Sequence, residues 1–412
     1  MIIYEILATI LFFILLPFYY IIRACNGKFL YGWKEKMGIF TPPNFNNKVI
    51  MYHGVSVGEV IALENLIKKT KETFPDCAIV VTTGTKTGQE IARKKYKDIA
   101  DYITYFPFDI PIFVKSFLKK INPDVVLIAE TEIWPVFARQ CKKMNIPLYI
   151  INGRISDSTY KLYKAFTPFF KHIFKYYTGI YTQSNIDNEK MLTLGSGKDK
   201  TEVMKNLKFD VKKVESNFNL NIGSNRVIIA GSTHKGEDEI AFDVFKHLKQ
   251  EFPDIKLIIA PRHLTRVDEV SSLAKNTGYS FGFRSKDDKL DENDILILDT
   301  LGELSKIYSI CDFAFIGGSF NKTGGHNPLE ATVYGKPAIT GPSIHNFRDI
   351  YWILDREKAG KIVKTPAELE EYMRKLLSDK DFYTETCKKC EFVFNDQQGA
   401  QDFVIKKLKN II

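Results

Sequence analysis

The sequence predicts an α/β protein made of two doubly wound, Rossmann-like domains, and three observations lead there. Short β-branched runs alternate with helical stretches along most of the chain, the rhythm of parallel sheets covered by helices. Nearly every run ends in a cluster of Gly, Ser, Thr, His or acidic residues. The length of 412 residues exceeds the roughly 100–200 residues of a single domain. With 45% hydrophobic and 26% charged residues, the composition is that of a packed protein, which excludes disordered, collagen-like and multi-pass membrane classes. A formal net charge of +9 favours an anionic partner: nucleic acid, a phosphorylated small molecule or an acidic lipid surface.

The first element is residues 1–23. From Ile6 to Ile22 the chain carries no charge, close to the roughly 20 residues that span a bilayer core. Arg23, Lys28, Lys34 and Lys36 follow the run instead of leading it, so a single uncleaved anchor is expected, with all that follows in the cytoplasm. Runs at 49–52, 78–83, 102–106, 125–129 and 148–151 predict the strands of a first domain over 24–205. The polar stretch 206–225 is the expected linker. Runs at 227–230, 256–260, 295–298, 313–316 and 337–340 predict the sheet of a second domain over 226–412. Ligands of open α/β sheets bind outside the carboxyl ends of the strands, so the two domains are expected to face one another across one cleft. Cys25, Cys77, Cys141, Cys311, Cys387 and Cys390 are too sparse for a disulfide framework and suit a reducing compartment. The CxxC of Cys387 and Cys390 has no second pair to complete a zinc site and is read as free thiols.

Several chemistries fail on spacing. The chain has no GxGxxG after a strand, no GxxxxGK[ST], no HExxH and no GxSxG, so nicotinamide, P-loop, zinc-protease and serine-hydrolase sites are unsupported. No metal or cofactor is expected; His53, His234, His263 and His326 share strand-end loops but match no standard metal spacing. Phosphate handling remains. In Gly324-Gly-His-Asn-Pro-Leu-Glu330 the glycines allow close approach of backbone to ligand, while Asn327 and Pro328 suit a helix start that aims N–H groups at an anion. Gly317-Gly-Ser319 ends a neighbouring run. Arg262 or His263 can pair a phosphate or carboxylate, and Glu330 can accept from sugar hydroxyls.

In the first domain, Glu59 of His53-Gly-Val-Ser-Val-Gly-Glu59 stands at a strand-to-helix turn, where a carboxylate can take a proton from a hydroxyl. Glu130 and Glu132 alternate across a strand end, so only one is expected to face the cleft. Ser56, Gly58, Thr83, Glu130 and Arg154 are the acceptor-side candidates.

These residues resemble those of the 3-deoxy-D-manno-octulosonic acid (Kdo) transferases, glycosyltransferases that add Kdo to the lipid A precursor. The matching signatures run in order through almost the whole chain: the Glu59 motif, Thr82-Thr-Gly-Thr-Lys-Thr-Gly88, Pro107-Phe-Asp109, Glu130-Thr-Glu-Ile-Trp-Pro135, Leu207-Lys-Phe-Asp210, Ser232-Thr-His-Lys-Gly-Glu237, Pro261-Arg-His263, Asp299-Thr-Leu-Gly-Glu-Leu304, Gly317-Gly-Ser319, the Gly324–Glu330 motif, and Gly341-Pro342 with Asn346-Phe347. The resemblance implies a GT-B glycosyltransferase fold, a cytidine monophosphate-linked donor (CMP-Kdo), inverting transfer without a metal, and the tetra-acylated lipid A precursor as acceptor. It implies anchorage at the cytoplasmic face of a bacterial inner membrane and a role in lipopolysaccharide synthesis. It carries the catalytic base onto Glu59, and donor binding onto Pro261, Arg262, Gly302, Glu303, Leu304, Ser319, Asn327 and Glu330, with Ser232, Thr233 and Glu237 beside them. Three positions depart from the family pattern: Val136 replaces the usual Asn, Lys205 the usual Gly, and Leu264 the common Pro.

Residues 160–177 interleave Lys161, Lys164, Lys171 and Lys175 with aromatic residues, the pattern of an interfacial segment on an anionic membrane. No nucleic-acid-binding fold accompanies it. The competing readings are another nucleotide-sugar transferase or epimerase of this fold, and a non-catalytic, membrane-tethered nucleotide-sugar-binding protein.

Overall fold

A computed structural model describes residues 2–25, 31–214 and 220–412, the side chains of 2, 3 and 19–25 excepted. Met1, Lys28 and linker positions 215–219 lie outside the described residues, as do the side chains of Arg23 and Cys25. The chain divides into two compact units, the first running to Asp210 and regaining Gln398–Ile412, the second Val211–Gln397.

The first unit holds seven parallel strands: β1 Val49–Gly54, β2 Ala78–Thr83, β3 Tyr102–Tyr105, β4 Val125–Ala129, β5 Leu148–Gly153, β6 Gly179–Thr182 and β7 Thr201–Val203, in the order β3-β2-β1-β4-β5-β6-β7. In the second, β8 Arg226–Thr233, β9 Ile255–Pro261, β10 Phe281–Phe283, β11 Ile295–Ile297, β12 Phe313–Ile316, β13 Ala338–Thr340 and β14 Gly360–Ile362 lie in the order β10-β11-β9-β8-β12-β13-β14. Every residue of β1, β2, β4, β5 and β9 is buried, because crossover helices cover both faces of a parallel sheet. Strand order reverses between β1 and β4 in one sheet and between β8 and β12 in the other. Such switch points open a crevice at the carboxyl ends of the strands.

Two features differ from the sequence expectations. The segment 398–412, expected in the second domain, returns to the first unit. Asp210 accepts hydrogen bonds from the backbone of Gly399 (2.7 Å) and Gln401 (2.5 Å) at the start of the helix Ala400–Leu408, and Ala400, Val404, Ile405 and Leu408 complete the core beside β1 and β5. The N-terminal segment is a helix, Ile2–Cys25, but no helix among the described residues is long and apolar enough to cross a membrane. The expected spanning anchor thus has no support among the described residues, and one face of this helix packs on the first unit. Glu5 is buried and ion-paired with Arg139, the arrangement a buried carboxylate requires. Phe12 packs on Phe108 and Phe113 at ring distances of 5.1 and 5.9 Å, and Tyr4 on Phe169 at 5.4 Å. The other face leaves Ile6, Leu7, Ile10, Leu11, Ile14 and Phe18 exposed.

Candidate functional site

At the β1/β4 switch point the turn after β1 presents Glu59. Ser56 caps the helix Val57–Thr73, and its hydroxyl donates to Glu59 Oε1 (2.8 Å) while the Val55 N–H donates to Oε2 (2.7 Å). Both carboxylate oxygens are thus held. The turn is braced from β2: Gly84 N–H and Thr85 Oγ1 both donate to the Val55 carbonyl, at 3.3 and 3.1 Å. A Cβ on Gly84 would lie 2.7 Å from the Val55 side chain, so glycine is required there. A Cβ on Gly58, in the first helical turn, would make only an ordinary contact, 3.8 Å from Ser56 Oγ.

Burial raises the pKa of Glu59; the Ser56 hydroxyl opposes that shift and the nearby charge of Glu130 adds to it. Glu132 is pushed up to about 7 by burial and by the charges of Glu59 and Glu130. The charges of Glu59, Glu130 and Glu132 therefore act on one another here. The alternation rule does not apply because β4 ends at Ala129 and both residues lie in the turn beyond it. Glu130 adopts φ 54, a left-handed conformation that costs a non-glycine residue of order 1 kcal/mol or more and collects at functional sites.

Other first-unit candidates face inward. Thr83 is buried and donates to Gln89 (2.5 Å). His53 is buried against Phe106 at a ring distance of 3.9 Å, with Nδ1 3.0 Å from the Thr82 hydroxyl, and burial pushes its pKa down to about 3. Arg154 donates its backbone N–H to Thr131 Oγ1 (3.0 Å), joining the turns after β4 and β5. Asp109, visible beforehand only as part of a signature, accepts from Val136 N (3.0 Å) and Phe137 N (2.7 Å) and so caps the helix Pro135–Lys143. That capping also places Val136, one of the departures from the family pattern, in the core.

In the second unit the β8/β12 switch point gathers a second cluster. Glu237, almost fully buried, accepts four backbone N–H bonds: from Gly318 (2.7 Å), Ser319 (2.7 Å), Phe320 (2.8 Å) and His234 (3.0 Å). The anion nest after β12 is thus filled by the protein's own carboxylate. Ser319 is buried, with its hydroxyl donating to Ile316 O and accepting from Gly341 N. Thr233 is buried and donates to Asp238 (2.6 Å), which Arg266 also pairs. These three candidates hold the loops together from within. Gly317 is equally constrained, since a Cβ there would lie 2.5 Å from the Ser232 carbonyl. Replacing Glu237 with Gln leaves part of this nest without an acceptor, at about 1–3 kcal/mol for each buried N–H stranded. A thermal melt of Glu237→Gln should therefore show a clear drop in Tm; an unchanged Tm contradicts the assignment.

Ser232, in a left-handed conformation at φ 56, Arg262, Gly302, Glu303, Leu304, Asn327 and Glu330 remain accessible to solvent. Pro261 is the buried last residue of β9, and the Arg262 N–H donates to Thr233 O (2.9 Å). Arg262 makes no ion pair among the described residues, whereas neighbouring Arg266 is bound by Asp238 and Glu269. Glu330 is raised by burial and drawn back by the Arg262 guanidinium and by a hydrogen bond to Asn327, which brings these three side chains together. Glu303 pairs with Arg284 (3.4 Å) at the foot of the helix Leu304–Ile307. The helix start expected at Asn327 is one residue later and very short, Leu329–Thr332, with Asn327 Oδ1 accepting from Leu329 N (3.1 Å). It cannot serve as a dipole site, and Arg262 is left as the positive charge of the cluster that has no ion pair among the described residues.

Residues 31–211 match the family model described as 3-deoxy-D-manno-octulosonic-acid transferase (kdotransferase), and residues 231–391 that of glycosyl transferases group 1. A 3-deoxy-D-manno-octulosonic acid transferase of Haemophilus influenzae is 34% identical over 341 residues, covering 81% of this chain and 80% of that protein. A bifunctional glycosyltransferase/methyltransferase of Fusobacterium nucleatum is 35% identical over 368 residues, 84% of this chain; the match spans 57% of that longer relative. Among solved structures, a UDP-GlcNAc 2-epimerase from Neisseria meningitidis superposes with a TM-score of 0.57 at 13% identity, covering 88% of this chain and 100% of the other. That likeness concerns the fold alone, two parallel-sheet units of the GT-B kind.

Proposed function

The chain belongs to the 3-deoxy-D-manno-octulosonic acid transferase family and is a glycosyltransferase, and on that premise we propose that it transfers Kdo from CMP-Kdo to the tetra-acylated lipid A precursor, with inversion and without a metal. In this reading Glu59 accepts the proton of the acceptor hydroxyl as its oxygen attacks the anomeric carbon. The bond from that carbon to the phosphate oxygen breaks, and CMP leaves with the electron pair. The observation that carries the reading is Glu59 itself: a carboxylate fixed through both oxygens at a switch point, with its proton affinity raised by burial. A general base works best when its pKa approaches the working pH.

On the donor side, Arg262 takes the anionic end of the donor, Glu330 and Asn327 its hydroxyls, and Gly302-Glu303-Leu304 the nucleotide, while Ser232, Thr233, Glu237, Pro261 and Ser319 set the loops that present them. Ser56 orients the base, and Gly58, Thr83, Glu130 and Arg154 shape the acceptor side. Competition binding tests the donor: CMP-Kdo should displace a fluorescent cytidine nucleotide at concentrations where UDP-GlcNAc does not. Displacement by UDP-GlcNAc alone would assign the site to a different nucleotide sugar.

The carboxyl cluster predicts an acid limb. Burial and the charge of Glu130 raise the base above the ordinary carboxylate range, so as pH falls it is lost to protonation earlier than a free carboxylate would be. Turnover should therefore fall on the acid side of the profile at a higher pH than an ordinary carboxylate gives. Glu130→Gln, which removes the charge that helps to raise Glu59, should move the fall to lower pH. A profile unchanged by the substitution contradicts the coupling.

A lipid acceptor requires contact with a membrane, here the cytoplasmic face of a bacterial inner membrane. The exposed apolar face of the helix Ile2–Cys25 supports this, together with the helices Asp157–Ala165 and Thr167–Phe174, where Leu162 and Phe166 are exposed beside Lys161, Lys164, Lys171 and Lys175. The Tyr4–Phe169 contact joins the two patches. Such a surface lies in the interface and does not need to span it. Each lysine at an anionic surface contributes about 1 kcal/mol, so changing all four to Glu should weaken binding to anionic vesicles by at least about tenfold. Unaltered sedimentation with vesicles counts against membrane docking by this surface.

A further inference from the structure

Three imidazoles with no part in the transfer step above stand together in the second unit. His234 Nε2 and His326 Nε2 are 2.9 Å apart, with ring planes within 2° of parallel, and the His263 ring lies edge-on to His234 at 5.6 Å. They come from three separate loops, after β8, β9 and β12. Gly318, at φ 72, makes room for the His326 ring, since a Cβ there would lie 2.9 Å from it. The sequence spacing of these histidines points to nothing; only the parallel sheet brings them together.

Charge around the cluster is unbalanced. The groups facing it are Glu237, Arg262 and Arg266. Arg266 is paired with Asp238 and Glu269, and the Glu237 carboxylate is taken up by four backbone N–H groups. Arg262 has no ion pair among the described residues, and Glu330, the other carboxyl within its reach, is partly buried and bonded to Asn327. Burial and then the charge of Arg262 push His326 down to about 4, and burial also lowers His234. His234 and His326 are therefore neutral beside a guanidinium that has no ion pair among the described residues. With both rings neutral, the 2.9 Å contact holds a single hydrogen bond, one Nε2–H donating to the other Nε2. An arriving anion supplies the missing negative charge, which favours the imidazolium form.

We propose that His234, His263 and His326 form the subsite for the carboxylate of the donor sugar, and that donor binding takes up a proton there. The inference rests on the donor reading above: CMP-Kdo carries two anions, a phosphodiester and a carboxylate, where the described residues around the cluster offer one guanidinium outside any ion pair. The proton affinity of His234 and His326 is low in the free protein and raised in the complex. Donor affinity therefore increases as pH falls through the pKa of the complex towards that of the free protein, by at most about tenfold per pH unit for one proton.

The test is calorimetric titration of the full chain with CMP-Kdo between pH 8 and pH 6, in buffers of different ionisation enthalpy. The methyl ester of CMP, a phosphodiester without the sugar carboxylate, serves as the second ligand. The expected result is uptake of up to about one proton per CMP-Kdo bound and a Kd that tightens about three- to tenfold per pH unit lowered. Neither effect should occur with the methyl ester, and both should disappear in His326→Gln and His234→Gln. Binding of CMP-Kdo without proton uptake, equal uptake with the methyl ester, or undiminished uptake in both variants overturns the carboxylate subsite and leaves the donor reading standing. Failure of the wild-type chain to bind CMP-Kdo at all overturns both.

Discussion

Glu59→Gln is expected to lower turnover about 10²- to 10⁴-fold, the usual contribution of a general base, while the affinity for CMP-Kdo changes little. The amide keeps the size of the side chain and can still accept from the Val55 N–H or the Ser56 hydroxyl, which hold the carboxylate at 2.7 and 2.8 Å. What it loses is the capacity to take a proton. Because an interaction made only in the transition state lowers kcat and kcat/KM together, the two should fall in parallel. Weakened donor binding with near-normal kcat would remove Glu59 from the base role and make it a binding residue. Ser56→Ala provides a graded companion: it frees one oxygen of the base and should cost less than Glu59→Gln, in kcat more than in KM.

Arg262→Ala is expected to raise the Kd for CMP-Kdo about 10- to 100-fold, since a hydrogen bond to a charged group is worth about 1.5–3 kcal/mol. The side chain is exposed, its backbone is fixed by the bond to Thr233 O (2.9 Å), and no carboxylate among the described residues claims its guanidinium. Its removal should leave the fold intact, because the side chain is exposed and makes no ion pair among the described residues, and a thermal melt within a degree or two of the wild type would confirm that. Arg262→Lys restores the charge without the planar fork and should recover only part of the affinity. Equal Kd values for wild type and Arg262→Ala would move the donor anion elsewhere.

Much of the fold was legible because parallel strands buried on both faces read as short apolar runs. All ten runs picked out in the sequence lie on observed strands. The four strands passed over, β6, β7, β10 and β14, have three or four residues each and stand at or next to a sheet edge. There the run is too brief and too mixed to rise above its surroundings, as Phe281-Gly-Phe283 and Gly360-Lys-Ile362 show. The N-terminal apolar run was plain, but the pairing of Glu5 with Arg139, 134 residues away, was not. The return of residues 398–412 is likewise a tertiary fact, carried by Asp210 and a helix start.

The site divides the same way. Glu59 and Arg262 could be read from residue type and position at strand ends. Thr233, Glu237 and Ser319 share those loops, yet their polar atoms are turned inward, because the oxygens that bind a ligand also satisfy backbone N–H groups in a turn. Nothing in a single sequence separates the two uses. Lys205, where the family usually has glycine, sits at φ 70, a conformation glycine adopts freely and lysine does not; that position is read from structure and resemblance together.

The most direct test of the central claim is CMP release from CMP-Kdo by the detergent-solubilised protein, with and without the tetra-acylated lipid A precursor, followed by mass analysis of the lipid. The account predicts release that depends on the acceptor and a lipid heavier by one or more Kdo units. Donor binding without any gain in lipid mass, or CMP release indifferent to the lipid, would contradict it.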